Sequence, residues 1–178
     1  HSQETFLPDI VVCPDTFAKC EAIEEGLPAE RLEVCTLPFY DDIEPFHSSK
    51  SDGVEEDSLE LLFISETHAR DFGREPGASG PLGDFLGYSE FSVRDDIYNG
   101  LNSFDRNIRV TEKLHPSSST VYDIFSPTTT FSWDIETGGY LESLIRRSHL
   151  VIGMRSAVLL QALAMSKPVV SYQPGLLG

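Results

Sequence analysis

Residues 149–172 constrain the fold of this chain more than any other stretch. An apolar strand, His149-Leu150-Val151-Ile152, runs into the turn Gly153-Met154-Arg155. Ser156 then caps an apolar helix predicted over 157–166, and Pro168-Val169-Val170-Ser171-Tyr172 forms the next strand. A helix that carries the chain from one buried strand to the next is a crossover between parallel strands. Such a unit needs helices on the faces of its sheet, because a parallel sheet is apolar on both sides.

The same grammar recurs upstream. Asp9-Ile10-Val11-Val12-Cys13 reads as a strand, Asp15 or Thr16 as the cap of a helix over 17–25, and 31–35 as the following strand. Gly26 ends that helix and Pro28 seals it. Residues 59–65 are apolar enough for a central strand. A helix over 92–104, capped by Ser92, leads to a strand over 107–114 that stops at His115-Pro116. Residues 139–147 form the helix before His149, with Tyr140, Leu141, Leu144 and Ile145 on one side. The fold class expected is α/β, a Rossmann-like parallel sheet with flanking helices. Three segments are expected: a βαβ-like unit at 1–40, an acidic linker at 41–57, and a Rossmann-like domain at 58–178, the one that the resemblance described below implies to be nucleotide-binding. After the last strand a further helix is due, and the chain opens on His1 rather than Met, as a piece of a longer protein would.

Two stretches resist this grammar. The Gly- and Pro-rich loop over 73–87 reads either as a lid or acceptor loop or as disorder. Residues 117–130 are polar, with a short element at 121–125, and Trp133 beyond them reads as half-buried packing or as a stacking surface for a base or sugar.

Charge and cysteines limit the partners. The 29 acids outnumber 13 bases, and the formal charge of −16 speaks against nucleic-acid backbones and anionic membranes. Cys13, Cys20 and Cys35 form no C-x-x-C, and Cys13 and Cys35 fall in strand-like runs where a buried reduced thiol is expected. No run of residues is apolar enough for a membrane span. A cytoplasmic location is expected. G-x-G-x-x-G, Walker A, G-x-S-x-G and H-E-x-x-H motifs are all missing. Asp41-Asp42 sits in the linker and Asp95-Asp96 in a helix's first turn, so no metal site is expected.

The candidate chemistry lies where strands end. Gly153, Arg155 and Ser156 open a helix whose first amides are unpaired and sit at its positive dipole end, which suits a phosphate. A plain strand-to-helix turn with a serine cap is the alternative. His115 is held at the carboxyl edge of the sheet by Pro116, where ligands of open α/β sheets bind, and Lys113 points to the same side. Asp84, Tyr88 and Glu90 have the chemistry for sugar hydroxyls without a spacing that singles them out.

Three segments taken in order carry a resemblance: Lys113-Leu114-His115-Pro116, then 150–156, then Leu159-Leu160-Gln161-Ala162 through Ser166-Lys167-Pro168-Val169-Val170. Together they resemble the carboxy-terminal domain of GT-B glycosyltransferases. They are similar also to UDP-N-acetylglucosamine 2-epimerases and to transferases of capsule and teichoic-acid polymers. The resemblance implies a nucleotide-diphosphate sugar as substrate, with no separate cofactor, and a glycan or polymer acceptor. It implies an amino-terminal domain or a second copy as partner. His115 would orient donor or phosphate, Gly153, Arg155 and Ser156 would cradle phosphate with Lys113 nearby, and Gln161 would reach the ribose. Two positions depart from the family pattern: Gln161 stands where a glutamate usually holds the ribose, and Ser166 where a glycine usually precedes Lys-Pro. A sugar-nucleotide 2-epimerase and a non-catalytic α/β interaction module are the competing expectations.

Overall fold

The computed structural model describes residues 8–35, 58–118 and 131–176. The chain divides into two compact units, His1–Ile43 and Glu44–Gly178. The acidic stretch at 41–57 and the short element at 121–125 lie outside the described residues.

The first unit is a βαβ. Strand β1 (Val11–Cys13) pairs in parallel with β2 (Leu32–Val34), joined by helix α1 (Thr16–Glu24) and a 3-10 turn, Ala29–Arg31. Asp15 is the cap: its carboxylate accepts from the Ala18 amide at 2.7 Å. The Lys19 ammonium reaches forward to the Leu32 carbonyl at 2.7 Å and pins the helix to the strand. Cys13 is buried, while Cys35 is exposed: it lies one residue past β2, where the side chain leaves the sheet.

The second unit holds five parallel strands: β3 (Ser58–Ile64), β6 (Asn107–Lys113), β7 (Phe131–Glu136), β8 (Leu150–Gly153) and β9 (Val169–Ser171). Their spatial order is β7-β6-β3-β8-β9. The chain therefore starts in the centre, winds out one way to β7, returns beside β3 and winds out the other way. This is a Rossmann-like α/β fold, and its topological switch point falls between β3 and β8. Side chains alternate across a strand, so β3 offers Leu61 and Phe63 to one face and Leu62 and Ile64 to the other. On the first face helix α3 (Glu90–Leu101) lays Val93 and Ile97 against Phe63, Ile108, Val110, Phe131 and Trp133. On the other, α4 (Leu141–Arg147) packs on β3 and α5 (Ala157–Ala164) on β8 and β9.

Several expectations are corrected. The α3 helix begins at Glu90 with Ser89 as its cap, and Ser92 serves as the other half of the box by accepting from the Ser89 amide at 3.0 Å. Trp133 lies in a strand rather than in a polar loop, and it is 4% exposed rather than half-buried. The Gly-rich loop is folded: α2 (His68–Phe72) is followed by a small hairpin of β4 (Ser79–Gly80) and β5 (Gly83–Asp84). The hairpin is stapled to α2 by the Leu82 amide on the Asp71 carbonyl at 2.8 Å. A Cβ on Gly80 would stand 2.4 Å from the Asp71 backbone, so the glycine buys a close approach rather than flexibility.

Ser166, the residue at the usual glycine position, has φ of 58° after the end of α5. An L side chain is strained there, and glycine is not. Ser166→Gly is expected to raise the unfolding free energy by about 0.5–1 kcal/mol, the relief of that strain less the entropy a glycine adds to the unfolded chain. Urea titration measures it. Lys167 beside it donates to the carbonyls of Arg146 and Ser148, closing the carboxyl end of α4, and burial lowers its pKa.

Candidate functional site

The carboxyl ends of the three central strands are level. Ile64 pairs with Lys113, and Phe63 with Ile152, so Ile64, Lys113 and Gly153 share one row at the edge of the sheet. The segments that follow them, 65–70, 114–118 and 154–156, line this edge.

Gly153 keeps its place through packing. Its φ is not positive, and a Cβ there would sit 3.0 Å from Leu159 of α5. The absence of a side chain lets the helix start close under the strand. Ser156 caps it, accepting from the Val158 amide at 3.2 Å. The amides of Met154, Arg155 and Ser156 then converge on one point. That point is occupied by Oε1 of Glu66, at 3.0, 2.8 and 3.0 Å respectively. Glu66 follows β3 by two residues, and the switch-point neighbours β3 and β8 bring it there. The turn is thus an anion cradle, with the protein's own carboxylate in it.

The surroundings of the cradle are rich in unspent polar groups. Arg155 is exposed and has no carboxylate within 4 Å among the described residues, and it sits beside the hydroxyl of buried Tyr88. His68 is 6% exposed, with Nε2 3.7 Å from Glu66 Oε2 and with Nδ1 lacking any hydrogen-bond partner. Its ring stacks on Phe72 and meets Tyr88 at a tilt of 59°. Gln173 closes the site from the far side, donating to the Met154 carbonyl at 3.1 Å while its own carbonyl accepts from Tyr88 at 3.3 Å.

Burial lowers the His68 pKa, partly offset by the charge of Glu66. A depressed histidine takes up its proton in the unfolded chain before it does in the folded one. Stability is therefore complete above the unfolded value of about 6.5 and falls as pH drops below it. Thermal melts between pH 8 and pH 5.5 are expected to show this fall, and His68→Leu to flatten it. An equal slope in the variant would assign the dependence to other groups.

His115 lies two strands from the cradle, a span of ~10 Å at the usual strand spacing. Its Nδ1 accepts from the Ser117 amide at 3.2 Å and meets Ser117 Oγ at 2.7 Å, while Arg70 donates to the same Oγ at 3.0 Å. An accepting Nδ1 leaves the proton on Nε2, so the exposed ring offers a donor to the edge of the sheet. Next to it is a cleft of about 280 Å³, lined by Thr67, Arg70, Arg74, Glu90, Phe91, Ser117 and Ser118. Arg74 stacks on Phe91 at 4.0 Å, and Glu90 is buried, its pKa raised by desolvation against the pull of the Ala69 amide.

The other candidates fall as follows. Lys113 donates to the Gly138 carbonyl, two strands from β8, and so clips the turn after β7. Gln161 is half-buried on α5, about 7.5 Å along the axis from Ser156 at 1.5 Å per residue, and its side chain makes no hydrogen bond among the described residues. Asp84 accepts from Ser79 across the hairpin. His149 stands at the amino edge, its Nδ1 accepting from the Glu60 amide at 2.9 Å. Glu66, His68 and Arg70 belong to the edge without any motif in the sequence to mark them. Their one signal was position, directly after a strand apolar enough to be central. Among the described residues no three His, Cys, Asp or Glu side chains gather as a metal site, and no helix is long and apolar enough to cross a membrane. In comparisons with known proteins, no family model matches the chain and no curated protein shows significant sequence similarity to it.

Proposed function

We infer that the second unit binds a nucleotide-diphosphate sugar at the carboxyl edge of its sheet, as the donor half of a glycosyltransferase-like protein of surface-polysaccharide synthesis. The observation that carries this reading is the convergence of three amides at the switch point beside Arg155, a cation with no carboxylate partner among the described residues. A diphosphate there meets the positive end of α5 and a guanidinium, which stabilise the charge that develops as the sugar departs. His115 supplies its Nε2 proton about one ligand's width away, where the sugar or its acceptor would lie. The acceptor, a glycan or polymer, would approach from a partner domain or copy.

Two features favour a second reading, a non-catalytic α/β interaction module of the same fold. Glu66 fills the cradle, and Gln161 brings no charge to a ribose. An epimerase is the third reading and would need acids supplied by a partner domain. Calorimetry with UDP, CDP and GDP separates the first two. Binding is expected, and Arg155→Ala is expected to weaken it by about 1–3 kcal/mol, the scale of a charge-assisted contact. No heat with any of the three nucleotides would favour the module.

A further inference from the structure

We propose that Glu66 is a displaceable internal stand-in for phosphate, so that ligand binding at the cradle is an exchange of one anion for another. The proposal rests on the phosphate reading of the site and adds what the site does when empty.

Three amides aimed at one point create a local positive field that is costly to leave without an acceptor. Glu66 fills that need with a single oxygen, at 2.8 to 3.0 Å from all three donors. Beyond the three amides, the described contact to this carboxylate is a long one to His68. His68 faces the second oxygen at 3.7 Å, too far for a hydrogen bond, and its Nδ1 is buried without a partner. Arg155, whose own amide holds Glu66, makes no ion pair with it or with any other carboxylate among the described residues. A carboxylate kept for structure would be expected to recruit that guanidinium. A phosphate is larger, carries more charge and has a third and fourth oxygen, so it can engage the amides and Arg155 together.

The placement of Glu66 makes the exchange consequential. It lies in the short segment that joins β3 to α2, and four residues later Arg70 holds Ser117 and through it His115. One stretch of chain therefore touches both halves of the edge.

The test compares the chain with Glu66→Ala and Glu66→Gln, each titrated with inorganic pyrophosphate and with UDP at fixed ionic strength, chloride serving as the control salt. Emptying the cradle removes the competitor, so pyrophosphate is expected to bind both variants at least tenfold more tightly than the parent chain and to raise their melting temperatures. Equal or weaker affinity in the variants overturns the proposal. So does failure of both variants to fold even in pyrophosphate, because a carboxylate the fold requires is not displaceable. A gain for pyrophosphate with none for UDP keeps the stand-in and removes the nucleotide reading. Binding of UDP by the parent with no gain in either variant keeps the nucleotide reading and removes the stand-in.

Discussion

Arg94→Ala is expected to cost about 3–5 kcal/mol, the scale of a buried charge left without its partner. Arg94 reaches from α3 to Glu112 on β6, Nε to Oε2 at 2.8 Å, with Glu112 fully buried. The other carboxylate oxygen, Oε1, has no hydrogen-bond partner, so Glu112 depends on what Oε2 receives. Removing the guanidinium leaves the buried carboxyl without its cation, with the Trp133 N–H still donating to Oε2. The double change Arg94→Met with Glu112→Leu removes both charges and keeps the volume, and is expected to cost less than the single one. Guanidinium unfolding of the three proteins measures this. A double variant as unstable as Arg94→Ala would place the loss in packing instead of charge.

Trp133→Ala is expected to be of similar size, about 3–5 kcal/mol, because it empties the core between β7 and α3. The indole packs edge-on against Phe63 and Phe131 at 6.1 and 6.0 Å between ring centres, and its N–H donates to Glu112 Oε2 at 2.8 Å. Trp133→Phe separates the two roles. It keeps most of the volume and loses the donor, and is expected to cost about 1–3 kcal/mol. Since Arg94 and Trp133 share one carboxylate oxygen, their combined loss is expected to be non-additive.

Much of this fold was legible because parallel strands write themselves as apolar runs. Residues 58–64, 107–113, 150–153 and 169–171 are strands that the sequence marked, and the crossover pattern implied their direction. The edge strand β7 was not read, although Phe131, Trp133 and Ile135 alternate with Ser132, Asp134 and Glu136 as a half-buried strand should. Its Thr-rich approach masked the period. The small α2 and the β4–β5 hairpin were hidden by glycines that serve close packing, as at Gly80, where composition alone suggests slack chain. For the site, the turn at Gly153 and its serine cap were visible locally. Its occupant was not, because Glu66 is distant in sequence and reaches Met154 only through the pairing of β3 with β8. Strand order is the missing information: once β3 is known to lie beside β8, the residue after β3 becomes the first candidate to face the turn.

The central claim, that a ligand's phosphates take the anion cradle formed by the amides of residues 154–156, is most directly tested at those amides. In a backbone-assigned NMR titration with UDP, the account expects the largest proton and nitrogen shifts at Met154, Arg155 and Ser156. Smaller ones are expected at Glu66 and its neighbours, and none at His149 on the opposite edge. Shifts centred on the amino edge, or saturating binding that leaves the three amides unmoved, would contradict it.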